Sequence, residues 1–493
     1  MQESTLGKVI GSPSVGIIQR KDRDRGIDRG SDKARMRVID TNVNDTNING
    51  AASTTTTMAS NKLAWIAWSS AAIFYCFQFF LRVAPSVLVD DLMRDFSIDA
   101  TTFGTLVSFY SLGYASMQIP LGVLMDKFGP RRLISVATLL CSVGTLIFAL
   151  SPNIHYAELG RLLIGTGAAC GFLGTMKVGT LWFHSKKLPF ISGITVILGA
   201  TGAMLASGPL SLLNDIVGGW RSSFMILAGL GAVVSLSAWT FIRDNGPYLV
   251  RSNASSVSSS SSSALEPVPA DEKESIFKGF NIIIRIPQIW IMAFFGFFVY
   301  SALASLPDSW GTQFLMATYG LTEAKAGTLM SLTYVGLAIG SLIFPLLCNR
   351  FPLKTLLKFS PLGAAIMSFI ILYAPNLSIE GLAVCLLCFG TAVGGHILYF
   401  SIACTHAPIW ASGVTIGFVN MITMISGVVY APLVGKILDF LWDGSVVNGA
   451  HVFKPSMFQT ALTIVPVTLS IAFILTFFIK EGSASSDSHH PSH

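Results

Sequence analysis

The chain has 493 residues, of which 52% are hydrophobic and only 12% are charged, and its formal net charge is +6. Soluble domains carry about a quarter charged residues, so this composition excludes an ordinary water-soluble protein. The net charge is no evidence of nucleic-acid binding, because the basic residues lie mostly between apolar segments. We therefore expect lipid to cover much of the molecule and no nucleic acid to bind it.

Residues 1–61 are polar, and no apolar run precedes Leu63, so this stretch lacks the core of a signal peptide. It contains too little apolar surface to offset the entropy cost of ordering. We predict a disordered tail, and its basic residues from Lys8 to Arg37 favour a cytoplasmic position.

Apolar segments long enough to cross about 30 Å of hydrocarbon follow in a regular series. A polar stretch at 243–285 divides the series, and its serine run from Ser258 to Ser263 predicts a flexible linker. We predict an all-α polytopic membrane protein with one six-helix bundle at 62–242, a second at 286–480 and a short tail at 481–493. The twelve predicted spans lie near 63–86, 101–121, 133–150, 157–180, 189–213, 223–242, 286–305, 323–346, 356–374, 380–403, 411–438 and 457–479.

Lysine and arginine are concentrated in alternate connections between the spans, which indicates the cytoplasmic side. The connection after span 2 holds Lys127, Arg131 and Arg132, whereas the opposite side holds few basic residues, such as Arg94 and Arg221. Both termini are therefore predicted to be cytoplasmic, which requires an even number of crossings.

Two connections resemble each other. The run GVLMDKFGPRR, from Gly122 to Arg132, follows span 2, and the run PLLCNRFPLK, from Pro345 to Lys354, follows span 8. Corresponding loops in two halves of six spans are typical of a duplicated carrier.

The first of these loops resembles the loop motif of the major facilitator superfamily, with lysine in place of one arginine. Residues 161–167 are similar to that family's R-x-x-x-G-x-G signature in span 4, and Gly219-Trp220-Arg221 is also common there. The resemblance implies two bundles related by a pseudo-two-fold axis, in a protein that works as a monomer. It also implies transport without ATP, in which the bundles rock about a binding site near the midplane. The residues that carry the motif are Gly122, Asp126, Lys127, Gly129, Arg131 and Arg132.

Within this motif, a glycine and a carboxylate have predicted structural roles. Gly122 is expected to allow close helix approach. Asp126 is expected to accept hydrogen bonds from the start of span 11, near Ala411 and Ser412, and so to close the cytoplasmic side.

Ionisable groups inside a membrane are costly, so Arg82, late in span 1, is the first candidate for a binding residue. In several organic-anion carriers of the superfamily an arginine at this place faces the central cavity. Its guanidinium can hold a carboxylate through two parallel hydrogen bonds, although it could instead extend to the outer interface. Leu81 stands where acidic sugar carriers often have aspartate, and span 7 supplies no second arginine near Tyr300, so a single carboxylate fits best.

Uncharged polar residues would complete this site or simply join helices. Tyr75 and Gln78 share a helical face with Arg82, while Tyr300 and Asn420 interrupt other apolar runs.

Three residues are candidates for proton coupling. Glu158 and Arg161 lie one turn apart in span 4, either as a proton-linked ion pair or as a structural brace. His396 in span 10 is either a proton carrier or a hydrogen-bonded core residue. Asp308 and Trp310 fall at the predicted outer end of span 7, where hydration makes a charge inexpensive, and are expected to be gate or interface residues.

We expect a transporter for a small carboxylate-bearing solute, such as an organic acid, an amino acid or a related metabolite, working by proton symport in a bacterial inner membrane. A transporter-like receptor or sensor and an exporter of another solute class are the alternatives. An enzyme is not expected, because no nucleophile, acid pair or metal cluster is evident. Cys385 and Cys388 lie in a continuous apolar run, so neither a metal nor any other cofactor is predicted.

Overall fold

The computed structural model describes residues 48–244, 272–374, 377–447 and 449–480. Residues 1–47, most of the predicted serine linker and the tail at 481–493 lie outside the described residues. The contacts described below belong to the unit Thr56–His493. The first helix begins at Ile48, within the stretch predicted to be a disordered tail.

Over residues 48–244 the chain is almost entirely helical, because a helix satisfies its backbone hydrogen bonds internally and can therefore be surrounded by lipid. Asp99 and Asn153 cap the starts of two helices by accepting backbone N–H groups. The helices are α1 Ile48–Val83, α2 Val89–Phe96, α3 Ala100–Ala149, α4 Ile154–Ala168, α5 Cys170–Trp182, α6 Leu188–Leu205, α7 Gly208–Val217 and α8 Trp220–Phe241.

The second half repeats this helical organisation, and its strands β1 Val446–Val447 and β2 Ala450–His451 form a small antiparallel hairpin. A π-helical turn, Leu306–Trp310, joins two of its helices. The helices are α9 Glu272–Ile283, α10 Pro287–Ser305, α11 Gly311–Tyr319, α12 Glu323–Leu347, α13 Leu353–Tyr373, α14 Ile379–Gly394, α15 Leu398–Thr405, α16 Ser412–Leu441, α17 Pro455–Leu462 and α18 Ile464–Phe478.

Helix α3 folds back on itself at Gly129, whose backbone angles are φ 75° and ψ 160°. A Cβ at Gly165 would meet the Tyr110 carbonyl, while the Cys141 thiol lies 3.4 Å from the neighbouring Ile164 carbonyl. Gly165 and Ile164, which are adjacent in α4, therefore lie beside Tyr110 and Cys141 of α3. In a straight helix these two α3 residues would be about 46 Å apart. Helix α3 is consequently an antiparallel pair that contains predicted spans 2 and 3.

By length and composition, ten helices in the described part of the chain can cross a membrane, or eleven when α6 and α7, bent by 44°, count as one span. Helix α3 counts once in this number, although it folds back at Gly129. The predicted end of span 7 at residue 305 is wrong, because the helical segment continues from Pro287 to Tyr319. Polar residues at 307–309 suggested an end there, but the π-helical turn accommodates them.

The two halves are tied together by a carboxylate at one end of the molecule. Asp439, near the end of α16, accepts hydrogen bonds from the Ala100 nitrogen at 3.0 Å and from the Thr101 nitrogen at 2.7 Å. It thereby supplies acceptors to unpaired N–H groups at the start of α3. We call this the Asp439 end, and the opposite end, which carries Asp126, the Asp126 end.

The packing of α3 against α4 is tested by replacing Gly165 with alanine. We expect Gly165→Ala to destabilise the protein by about 1–3 kcal/mol, because the new methyl group would overlap the Tyr110 carbonyl. Gly229→Ala is the matched control, since Gly229 lies in α8 and a Cβ added there would have no atom within 4 Å. The measurement is thermal unfolding of the purified protein in detergent, and equal melting temperatures for the two variants would contradict the packing described.

Candidate functional site

Arg82, the residue before the last of α1, forms a buried ion pair with Asp308 of the second half. Its Nη2 donates to Asp308 Oδ2 at 2.6 Å, and its Nε donates to the same oxygen at 3.1 Å. Arg82 is 9% exposed and Asp308 is 6% exposed. The guanidinium therefore does not extend to the outer interface, and the expectation that Asp308 is hydrated is wrong.

The π-helical turn explains why Asp308 lies inside the protein. Pro307 has no N–H group and disrupts the regular helical ladder, while the Ser309 hydroxyl donates to the Ala304 carbonyl at 2.6 Å. Trp310 is fully buried, and its indole nitrogen donates to the Ala431 carbonyl at 3.2 Å. Trp310 is therefore a core residue that fixes the turn against α16, so the predicted hydrated position is wrong, while the predicted gate role stays a prediction.

Two tyrosines complete the surroundings of the Asp308 carboxylate. The Tyr334 hydroxyl donates to Oδ1, and the Tyr300 hydroxyl donates to Oδ2 at 3.4 Å. The Tyr300 ring also lies under the Arg82 guanidinium, with 4.9 Å between the Arg82 Cζ and the ring centroid. Because the charge is balanced and both carboxylate oxygens accept hydrogen bonds, this polar cluster can exist in an apolar interior.

Arg161 lies beside the pair, fully buried, and braces the end of α1. Its Nη1 donates to the Leu81 carbonyl at 2.7 Å, and its Nη2 donates to the Arg82 carbonyl at 3.4 Å. Pro85 lacks the N–H group that would reach the Leu81 carbonyl in a continuing helix, so Arg161 supplies a replacement donor. Its own Nε has no partner among the described residues.

Glu158 does not form the predicted ion pair with Arg161. Its carboxylate lies 3.1 Å from His155 Nδ1, one turn earlier on α4. The prediction failed because residues that share a helical face can still point to different partners. In this case the unpaired carbonyls at the end of α1 provide acceptors for Arg161.

The structure brings only some of the predicted binding residues close to Arg82. Tyr300 contacts the ion pair directly, and Gln78 accepts a hydrogen bond from Tyr110, whose ring lies 5.1 Å from the Arg161 guanidinium. Tyr75 is buried, with its ring 5.7 Å from that of Phe172.

Asn420 and His396 have other surroundings. The Asn420 amide donates to Gln118 Oε1 at 2.7 Å and so joins α16 to α3 across the two halves. His396 Nδ1 lies 2.7 Å from the Val393 carbonyl, and its ring stacks on Tyr399 at 5.8 Å. Because a carbonyl can only accept, Nδ1 carries a proton in this bond. His396 is half-buried, and its role in proton coupling stays a prediction.

The loop motif makes its described contacts within the first half. Asp126 accepts a hydrogen bond from Lys177 at 3.0 Å, and its predicted contact with the start of span 11 stays a prediction. No atom lies within 4 Å of a Cβ built on Gly122, so the expected close helix approach at that glycine is wrong.

The basic end of the motif is fixed by Asp244, which was not predicted from the sequence. Asp244 Oδ1 accepts the Arg131 backbone N–H at 2.9 Å, and a side chain at Gly129 would collide with the same carboxylate. The Arg131 guanidinium donates to the Trp239 carbonyl at 2.8 Å and lies over its ring. These contacts attach the fold-back of α3 to the end of α8. Of the remaining motif residues, Lys127 lies over the Phe128 ring and Arg132 is exposed.

Asp308 was not predicted to belong to the Arg82 site, although the sequence contains a signal for it. Apolar residues continue after the polar turn through Phe314 and Leu315. A span that continued through Asp308 would have placed its carboxylate inside the membrane.

Comparisons with known proteins agree with this architecture. The family model described as Major Facilitator Superfamily matches residues 68–431. The "Uncharacterized transporter YybO" of Bacillus subtilis (strain 168) is 22% identical and covers 73% of this chain and 84% of its own length. The "Probable galactarate/D-glucarate transporter GudP" of Escherichia coli (strain K12) is 22% identical, with 76% and 86% covered.

Solved structures share the fold. An inward-facing, unoccupied bacterial homologue of the human lysosomal transporter Spinster superposes with a TM-score of 0.66 at 17% identity, covering 85% of this chain and 97% of the homologue. The nucleoside transporter NupG gives a TM-score of 0.62 at 15% identity, with 84% and 100% covered. Together with the membrane-spanning helices and the loop motif, the match over residues 68–431 shows that this chain is a multi-pass membrane transporter that belongs to the Major Facilitator Superfamily.

Proposed function

We propose that the protein carries a small carboxylate-bearing solute across a membrane by alternating access, as a monomer driven by a proton gradient. The observation that carries this proposal is the buried Arg82 guanidinium, which already binds a carboxylate between the two halves. A solute carboxylate at the same place would receive the same charge-assisted hydrogen bonds. Burial strengthens such bonds, because water does not compete for the donors.

The names of similar proteins support this class of solute. Besides the galactarate/D-glucarate transporter, they include a "Probable L-galactonate transporter" of Escherichia coli and a "Hexuronate transporter" of Bacillus subtilis, which are 25% and 21% identical over parts of this chain. All of these solutes carry a carboxylate together with hydroxyl groups. Tyr110 and Gln78, which lie beside the arginines, supply groups that hydrogen-bond to hydroxyls.

The contacts between the halves favour alternating access. At the Asp439 end a carboxylate of one half holds a helix start of the other, whereas at the Asp126 end the loop-motif carboxylate pairs within its own half. A transporter that opened at the Asp439 end would have to break the Asp439 contacts and separate Arg82 from Asp308. We further propose that the Asp126 end faces the cytoplasm of a bacterial inner membrane, since lysine and arginine are concentrated in its loops.

Arg82→Ala tests the carboxylate site. In proteoliposomes with an inward proton gradient, we expect its KM for the transported acid to rise about 10- to 100-fold, because a charge-assisted hydrogen bond contributes about 1.5–3 kcal/mol. The measurement is uptake of radiolabelled D-glucarate, L-galactonate and D-glucuronate. Arg82→Lys should retain part of the affinity, since it keeps the charge but loses the planar fork.

The matched control is Arg94→Ala, which removes an arginine that pairs with Asp91 near the surface of α2. Its uptake should equal that of the unmodified protein. An unchanged KM in Arg82→Ala would show that the solute is bound elsewhere.

Asp439→Ala tests alternating access. Loss of its hydrogen bonds to the start of α3 should favour opening at that end and raise labelling there by about tenfold or more, since each bond to a charged group contributes about 1.5–3 kcal/mol. The measurement is the rate at which a membrane-impermeant maleimide, added from the Asp439 end, modifies Ser111→Cys beside the central ion pair. The control is Asp91→Ala in the protein that carries Ser111→Cys. Equal labelling rates in the Asp439→Ala and Asp91→Ala proteins would contradict the predicted opening.

A further inference from the structure

We infer that Asp308 is the proton-binding residue of this transporter, and that one proton enters with each solute carboxylate that Arg82 binds. This inference rests on the proposed function and deepens it, because it assigns the coupling step to one side chain. It replaces the expectation that Glu158 or His396 carries the proton.

The first argument is charge balance in a buried site. Arg82 and Asp308 are each less than a tenth exposed, and they neutralise each other across the boundary between the halves. Removing one partner of a buried pair leaves the other charge uncompensated, which is strongly unfavourable. The pair can therefore separate readily only if each charge receives a new partner.

A solute carboxylate and a proton together meet that requirement. When the solute carboxylate binds Arg82, it displaces the Asp308 carboxylate, and a proton taken up by Asp308 makes that group neutral. The Arg82–Asp308 pair is neutral before the exchange, and the Arg82–solute pair with protonated Asp308 is also neutral. For a solute with one carboxylate, transport is then electroneutral, with one proton moved for each solute molecule.

The groups around Asp308 suit this exchange. Tyr300 of α10 and Tyr334 of α12 place hydroxyl groups on the carboxylate oxygens, and a hydroxyl can either donate to a carboxylate or accept from a protonated acid. Both protonation states of Asp308 can therefore remain hydrogen-bonded after Arg82 has left. The carboxylate needs no change of position to keep these partners.

No other acidic side chain among the described residues lines the small cavity beside the pair. Helix α3 contributes Tyr110, and α4 contributes Arg161, which remains held by the carbonyls at the end of α1. Helix α16 contributes Gly427 and Ala431, which do not titrate. Arg161 adds the same positive charge before and after the exchange, so Asp308 is the group whose protonation balances the arrival of a carboxylate.

The other candidates are placed less well for this role. The Glu158 carboxylate pairs with His155, and it makes no ion pair with either buried arginine. The His396 ring is bonded to the Val393 carbonyl, three residues earlier in the chain. Neither residue exchanges partners when Arg82 and Asp308 separate.

The test compares exchange with proton-driven accumulation in proteoliposomes that contain the full-length chain, using L-galactonate and D-glucuronate as probes. An inward gradient of about one pH unit should let the unmodified protein concentrate a monocarboxylate about tenfold, since one proton supplies 1.36 kcal/mol per pH unit. Asp308→Asn, which imitates the protonated acid, should still exchange internal for external solute. It should not accumulate the solute above its external concentration, and its exchange rate should lose the pH dependence of the unmodified protein.

Glu158→Gln and Asp91→Asn are the acid-to-amide controls, and both should accumulate solute as the unmodified protein does. Proton-driven accumulation that persists in Asp308→Asn, or is lost in Glu158→Gln, would overturn the assignment. A second measurement uses only the unmodified protein. An electrical potential set with valinomycin should leave its uptake of a monocarboxylate unchanged. A pH-sensitive dye inside the proteoliposomes should record one proton for each solute molecule. A net charge moved with each solute molecule would refute the inference even if Asp308→Asn does not fold.

Failure of the proposed function gives a different result from failure of this inference. If the unmodified protein exchanges neither acid, transport of such acids is refuted, and the role of Asp308 is refuted with it. If exchange occurs but its coupling does not depend on Asp308, only the present inference is overturned.

Discussion

A guanidinium held away from water must find a negative partner, and this constraint organises the centre of the molecule. Arg82 is contributed by the first half and its partner Asp308 by the second, so the requirement for charge balance also joins the two halves. The π-helical turn contains Asp308, and the two tyrosine hydroxyls donate hydrogen bonds to its carboxylate, so both support the same ion pair. Removing the two charges from water offsets much of their attraction. The ion pair therefore fixes the positions of the two side chains more than it adds to the stability of the fold.

The remaining architecture depends on close backbone contact, since apolar helices in lipid gain little from the hydrophobic effect alone. Gly165 lies against Tyr110, and Gly435 against Ala100, at positions where any side chain would meet a carbonyl group. The first contact holds α4 to α3 within one half, and the second joins α16 to α3 across the halves. Glycine thus provides the packing in both kinds of interface, while the polar bonds fix the register.

The sequence predicted the fold well and the site only in part. Apolar run length indicated the spans, because the thickness of the hydrocarbon imposes nearly the same length on every helix. Arg82 could be identified because a charge in such a run requires an explanation. Its partner could not, because the polar residues around Asp308 suggested the end of a helix and a single sequence does not show that the turn continues as a π-helix. Asp244 was missed for a related reason: its contact with Arg131 joins residues that are distant in the chain.

The brace at the end of α1 links two positions that lie far apart in the sequence. Pro85 removes a backbone donor, and Arg161 replaces it by binding the Leu81 carbonyl at 2.7 Å. The residue type at one position therefore limits which substitutions are tolerated at the other. A chain that lost the proline would leave the fully buried Arg161 without its Leu81 acceptor, and a chain that lost the arginine would leave a buried carbonyl unpaired. A change at either position alone therefore leaves a buried polar group without its partner, and the two positions are expected to change together.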